Sequence, residues 1–294
     1  MYELNQVAER TYYIDCPTKV GIYRQTDRDV YLIDSGNNRT AGKKIWKILN
    51  ENKWNLKGII NTHSHADHIG GNRYLQKQTG CKIFADGLEA TFAKNLILEP
   101  SFLYGGYPGK DYLKHKFQLT QESDVSPISD TDFPKELEVI PLWGHFFHMT
   151  GIRTPDNVVF LADSILSAVM LEKIPFPFIY DIAESLNTLN KVETMEASLF
   201  VPAHAEAVEN VKELVQLNRR KIFDIADKLQ TILKTPMCFE TLLKQIFDEY
   251  RLNMNFEQYV LIGSTIRSYL SWMKDSGYIE TVCDNNLLKW KTQC

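Results

Sequence analysis

The chain has 294 residues, 44% hydrophobic and 24% charged, enough to bury a large core and to divide into one large domain and a smaller one. Its net charge of −4 argues against wholesale coating of nucleic acid, and no apolar run approaches the roughly 18 residues of a membrane-spanning helix. The five cysteines (Cys16, Cys81, Cys238, Cys283 and Cys294) are odd in number, scattered and without C-x-x-C spacing, which points to reduced thiols and away from a disulfide frame or a thiolate metal site. The start, "MYELNQVAERTYYI", has neither a basic nor an apolar leader region, so a cytoplasmic protein is expected.

In chain order, "RTYYI", "KVGIYRQ" and "DVYLIDSG" alternate apolar and polar residues around turn signals such as Thr26-Asp27, the pattern of a β-meander. "RTAGKKIWKILNENKW" has helical apolar spacing, and "LKGIINTH" returns to strand. Helices are predicted over Gly71 to Gln78 and Asp86 to Asn95, either side of the strand "CKIFAD". Pro100 to Pro127 mixes glycine, proline and aromatic residues without a period and reads as a long loop or insertion. Beyond it "ELEVIPLWGH", "NVVFLAD" and "ASLFVPAH" repeat one pattern, an apolar run ending in a histidine or aspartate. The alternation is that of an α/β fold.

The stretch "NTHSHADHIGGN", residues 61 to 72, holds three of the seven histidines and an aspartate within six positions. On extended backbone His63 and His65 project to the same side and can converge on one cation. Asp67 and His68 can aim at a second point close by, while Gly70-Gly71 permits a tight turn into a helix. If the later strands end at the same sheet edge, they deliver His145, Asp163 and His204 to it as well. Taken singly, His145 could be a loop residue and Asp163 the N-cap of a helix over "SILSAVML".

Together these motifs resemble the metallo-β-lactamase-fold hydrolases: H-x-H-x-D-H at His63, His65, Asp67 and His68, then G-H at Gly144-His145, a strand-ending Asp163, and P-x-H at Pro202 to His204. "YLIDSG" matches that family's early strand, with Asp34 as a buried supporting residue. The resemblance covers roughly residues 5 to 215. It implies an αββα sandwich in which His63, His65 and His145 hold one metal, Asp67, His68 and His204 hold a second, and Asp163 bridges them. Where the family often has a second histidine four residues after the third ligand, "GHFFHM" places His148 three after His145, which suggests a supporting or structural role. Imidazole and carboxylate donors without thiolate favour zinc, with iron or manganese as other fits, so the two ions that the resemblance implies are expected to be zinc. The resemblance implies hydrolysis by a metal-bridging hydroxide, with Asp67 as general acid-base.

For the substrate, Phe102, Tyr104, Tyr107 and Tyr112 are expected to form an aromatic wall or glycine-hinged lid over the metals, with "IPFPFIY", and Phe178 in it, as a second wall. A small ester, thioester or lactone suits such a site. The segment 216–294, set apart from a catalytic domain over 1–215, reads as amphipathic helices followed by two short strands around Asp284-Asn285-Asn286, a winged-helix-like domain. With 11 Lys+Arg against 9 Asp+Glu it is poorly charged for phosphate contacts, which favours packing or homodimerisation over nucleic-acid binding. An endoribonuclease or phosphodiesterase acting on nucleic acid is the alternative.

Overall fold

The N-terminal alternation folds as an antiparallel meander, β1 (Glu3–Gln6), β2 (Thr11–Asp15), β3 (Val20–Arg24) and β4 (Asp29–Ile33), in a computed structural model that describes residues 2–110, 113 and 121–293. Tyr112 lies outside the described residues. From β4 the chain crosses through α1 (Arg39–Glu51) to β5 (Asn55–Ile60), which pairs parallel with β4. Asn38 caps α1 by accepting the Ala41 N–H at 3.0 Å, and the helix buries Ala41, Ile45 and Leu49 along one stripe. Next come α2 (Ala66–Ile69), α3 (Asn72–Thr79), β6 (Lys82–Ala85), α4 (Gly87–Lys94), α5 (Leu98–Tyr104) and β7 (Ser126–Pro127), which completes a seven-stranded sheet.

The second sheet has four strands, β8 (Glu138–Pro141), β9 (Thr150–Arg153), β10 (Val158–Leu166) and β11 (Leu199–His204), ordered β11-β10-β9-β8. Between β10 and its parallel neighbour β11 run α6 (Ala168–Lys173) and α7 (Ile182–Thr194). The chain ends with α8 (Lys212–Ile232), α9 (Phe239–Glu249), α10 (Phe256–Asp275) and the hairpin β12 (Ile279–Asp284) and β13 (Leu287–Thr292). The hairpin turns on Asn285 and Asn286 at φ 47° and 61°, the left-handed pair that a two-residue loop requires and that asparagine tolerates best among non-glycine residues.

Three apolar clusters define the layers. Tyr23, Ile33, Ile60 and Phe84 of the large sheet meet Ile152, Phe160 and Val201 of the small one. On the outer face of the large sheet, Ile22, Leu32 and Ile59 pack with Ile45, Leu49 and Leu75 of α1 and α3. On the outer face of the small sheet, Val159, Leu161 and Phe200 are covered by residues of α7, α8, α9 and α10. This is the expected αββα sandwich with a C-terminal helical region.

Three local expectations are corrected. Part of the stretch after Pro100 is helix, because α5 runs to Tyr104 and stops where Gly105 adopts φ 79°. The segment after Asp163 continues β10 to Leu166, so Asp163 caps no helix; Ser167 caps α6 by accepting the Met170 N–H. And α8 starts at Lys212, so residue 215 falls inside a helix whose Val215, Ile222 and Leu229 share one cluster with both the small sheet and α10. Among the described residues no helix is long and apolar enough to cross a membrane.

Candidate metal centre

Strand ends and the loops just beyond them carry the polar side chains of the site. β5 ends at Ile60, and the loop after it carries His63 and His65; His65 also stands at the N-cap of α2, whose first turn presents Asp67 and His68. β11 ends at His204. Within β10 the pairing register shifts on both sides of Ala162, which sits at φ 48°. That bulge re-aims the next side chain, Asp163, and a left-handed alanine is the kind of strain that persists where the surroundings over-determine the backbone. His145 follows Gly144 at φ 118°, where a Cβ would lie 2.3 Å from the Ser185 nitrogen. Gly70 and Gly71, expected to make a tight turn, have ordinary helical φ values of −61° and −86°. They are small for a different reason: a Cβ on Gly71 would lie 2.2 Å from the Ser35 oxygen, so this loop and the one after β4 touch backbone to backbone.

Seven side chains converge in two sets, His63, His65 and His145, and Asp67, His68, Asp163 and His204, with the ligand atoms of each set within 4.8 Å of one another. His63 Nε2 and His145 Nε2 each lie 3.0 Å from His65 Nδ1. Asp163 touches both sets: Oδ1 is 3.0 Å from His68 Nε2, and Oδ2 is 3.5 Å from His145 Nε2 and 3.4 Å from His204 Nε2. Asp67 Oδ2 lies 3.3 Å from His204 Nε2 and 3.8 Å from His68 Nε2.

The far side of four of the five rings, all but His65, assigns their protons. The Thr62 hydroxyl donates to Asp34 Oδ2 at 2.8 Å and so accepts from His63 Nδ1 at 3.1 Å. His68 Nδ1 donates to Asp34 at 2.7 Å, His145 Nδ1 to the Phe178 carbonyl at 3.1 Å, and His204 Nδ1 to the Pro17 carbonyl at 3.2 Å. With the outer nitrogens acting as donors, the inner ones are left as lone pairs facing one another and two carboxylates. His68 Nε2 and Asp163 Oδ1 are both buried with no hydrogen-bond partner despite their 3.0 Å separation. Lone pairs gathered this closely repel unless a cation sits among them, so the donor set fits divalent metal.

The titration behaviour agrees. Burial, reinforced by neighbouring imidazoles, holds His63, His65 and His145 below the ordinary histidine range, which keeps them neutral. At His204 burial again disfavours charge, but the carboxylates of Asp163 and Asp67 outweigh it and push the imidazole up to about 10. Those carboxylates call for nearby positive charge, which a bound cation would supply.

Residues 13–204 match the Metallo-beta-lactamase superfamily. The chain belongs to that superfamily. It is 26% identical over 232 residues to a hydroxyacylglutathione hydrolase of Haemophilus ducreyi, covering 78% of this chain and 83% of that protein. It is 25% identical over 228 residues to a probable metallo-hydrolase of Bacillus subtilis, covering 72% and 94%. A metallo-beta-lactamase family protein from Thermus thermophilus superposes with a TM-score of 0.72 at 15% identity, over 100% of this chain and 98% of that one, so the C-terminal helices belong to a shared fold. As a superfamily member with a His/Asp metal-binding cluster, the chain is a metallo-hydrolase.

Within this superfamily frame several supporting residues emerge. Asp34, expected to support the site, is buried at φ 65° and accepts from the Thr62 N–H, the Thr62 hydroxyl and His68 Nδ1. Glu89 and Glu99 went unread in the sequence. Glu89, fully buried on α4, accepts the Ser64 N–H and hydroxyl with Oε2 at 2.9 and 2.8 Å, and the His148 N–H with Oε1 at 2.9 Å. It thereby ties the His63–His65 loop to the loop of His145. Glu99 Oε1 lies 3.7 Å from His65 Nε2. An acidic residue in an otherwise amphipathic helix, such as Glu89 one turn before the buried Ala93, looks like surface charge until its partners are known. Glu89→Ala strands two buried N–H groups at about 1–3 kcal/mol each. A lower melting temperature together with weaker metal retention is expected, only partly rescued by Glu89→Gln, whose single oxygen can accept one of the two backbone N–H groups while its NH2 faces the other; unchanged retention on metal-buffer titration would count against it.

A cavity of about 610 Å3 is lined by His65, Asp67, His145, Asp163 and His204 and, beyond them, by mainly apolar side chains. Phe178 lines it, with its ring 5.4 Å from that of His65 and 5.7 Å from that of His145. The other predicted wall residues are elsewhere. Phe102 packs edge-on against Phe147 and Tyr180, Tyr104 lies against Phe256 at 43% exposure, and Tyr107 is 80% exposed. Tyr104 of α5 faces Phe256 of α10, Phe102 stands behind Phe146, whose ring lies against that of His65, and the Gly105 C-cap turns Tyr107 into solvent. His148 pairs with Asp86 at 2.7 Å and stacks on Trp143, outside both ligand sets.

Proposed function

We propose that the chain is a dinuclear, zinc-dependent hydrolase of a small ester, thioester or lactone, with iron or manganese as substitutes. His63, His65 and His145 would hold one ion and Asp67, His68 and His204 the other. The observation that carries this reading is Asp163, whose two oxygens reach separate sets of imidazoles and so suit a carboxylate shared by two cations. Two bound divalent ions would supply a water of pKa near about 7 and polarise a carbonyl oxygen.

The protein's own part is orientation, proton transfer and exclusion of water. Asp67 Oδ2 accepts the Thr18 hydroxyl at 3.1 Å, which fixes the carboxylate, and its side chain is still 42% exposed, so it is reachable by substrate. From there Asp67 takes a proton from the attacking water and returns it to the leaving group. Phe176, Phe178 and Ile179 line the cavity and keep bulk water from the reacting carbonyl. The similarity to a hydroxyacylglutathione hydrolase favours a thioester.

The test is elemental analysis together with a screen of thioesters, esters, lactones, phosphodiesters and RNA on one preparation. Two ions per chain and turnover of a carbonyl compound are expected. Cleavage of RNA or a phosphodiester alone would replace this substrate class with the nucleic-acid alternative. A pH series offers an independent check. Imidazoles held below their ordinary pKa stay neutral donors on falling pH for longer than exposed ones, and protons displace metal only once they charge. The ion at His63, His65 and His145 is therefore expected to be held at about pH 6.5, the ordinary histidine value, and lost only below it, after protons have taken His204 of the other set. Loss of that first ion already at neutral pH would contradict this.

A further inference from the structure

We propose that the C-terminal helices complete an acyl-chain site, so that the preferred substrate carries a medium-length apolar acyl group. This rests on the reading of the chain as a carbonyl-group hydrolase. The cavity that contains the metal-binding side chains extends between two sources of wall. Met170 and Leu171 of α6 and Phe176 and Ile179 of the following loop come from the superfamily fold. Ile222 of α8 and Ile262 of α10 come from the C-terminal region.

Several polar groups of the cavity are already engaged with backbone, while Asn37, Glu99, Ser185 and Gln258 also line it. Asn218 donates to the Leu166 and Leu214 carbonyls and accepts the Leu166 N–H. Thr188 donates to the Trp143 carbonyl, Thr265 to that of Leu261, and Lys221 Nζ to that of Leu171 at 3.0 Å. Outside the ligand sets, the buried polar side-chain atom without a partner among the described residues is the Tyr269 hydroxyl. Against a mainly apolar wall, the several amides and carboxylates of a peptide or the phosphates of a nucleotide would find few partners beyond Lys221, Gln258 and the Tyr269 hydroxyl, and burying such groups unpaired is costly. An alkyl chain asks for none of these partners and gains from leaving water. At about 610 Å3 the space is in the range of small-molecule sites, roughly 300–1,000 Å3, and is larger than a carbonyl centre alone requires. With the chain seated, the oxygen of water bonds to the acyl carbon, the carbon–sulfur bond breaks, and a proton passes to the departing thiolate, leaving a carboxylic acid and a thiol.

Three measurements test this on the intact, metal-loaded protein. Thioesters of one small thiol, from acetyl to decanoyl, should show kcat/KM rising about three- to fourfold per added methylene until the cavity is filled. Decanoate should bind, by calorimetry, at least tenfold more tightly than butanoate, also to protein stripped of metal. Ile262→Trp, which narrows the wall, should cut the decanoyl-to-acetyl ratio of kcat/KM by tenfold or more. If that variant does not fold, the chain-length series and the calorimetry decide alone. Carbonyl hydrolysis with no dependence on chain length and no decanoate binding overturns the acyl site and leaves the hydrolase reading intact. Decanoate binding without turnover of any thioester, ester or lactone supports the site and overturns the hydrolase reading. Neither binding nor turnover overturns both.

Discussion

Asp163→Asn is expected to strip at least one ion from the protein and to lower activity by more than the about 10–100-fold typical of losing a partner outside the ligand shell. Asparagine keeps the shape and removes the charge. Among the described residues Asp163 is the one carboxylate in contact with His68, His145 and His204 together, so on the proposed two-ion reading its charge would offset repulsion between two closely spaced dications. The neutral amide also adds N–H donors where only lone pairs face inward, and one of them must point at an imidazole lone pair or at the metal. His65→Ala is expected to abolish activity outright, because His65 Nδ1 stands 3.0 Å from both His63 Nε2 and His145 Nε2 and its loss opens the triad in the middle. Metal content by elemental analysis, read beside circular dichroism to establish that the fold is kept, checks both. Two ions per chain at native affinity in Asp163→Asn would end the shared-carboxylate reading.

Truncation after Val215 is expected to yield insoluble or unfolded protein. The cut falls within α8 and removes Ile222, Ile225 and Leu229 with Ile266 and Leu270 of α10, all buried in the cluster that covers Val159, Leu161 and Phe200 of the small sheet. At about 1.5–3 kcal/mol for each buried aliphatic side chain, five such losses consume much of the 5–15 kcal/mol by which folded proteins are stable. The same cut deletes one wall of the cavity. Solubility and the cooperativity of thermal unfolding read the outcome. A soluble, cooperatively folding fragment of residues 1–215 that still binds metal would show that the C-terminal helices are dispensable for the sandwich.

The cluster of seven candidate ligands was legible because its information is short-range. His63, His65, Asp67 and His68 occupy one loop and the first turn of one helix, and His145, Asp163 and His204 each follow an apolar strand run, so spacing alone brings out the seven residues. The α/β alternation and the hairpin at Asn285-Asn286 are likewise written locally, in apolar period and turn chemistry. What tertiary structure alone decided is which faces meet. The acceptors that fix the imidazole protons include the carbonyls of Phe178 and Pro17, and a backbone carbonyl has no signature in a sequence. Glu89 became a tie between two loops only once folding brought residues 64 and 148 to it. The aromatic residues from Phe102 on were read as a wall over the metals, yet a stretch of glycine, proline and aromatic residues without a period states neither its helix nor that helix's partner, and α5 laid Tyr104 on Phe256 of α10. For the same reason the helices beyond residue 215 gave no sign of lining the cavity: that role depends on contacts between segments far apart in the chain, which hydrophobic burial selects by shape and not by local pattern.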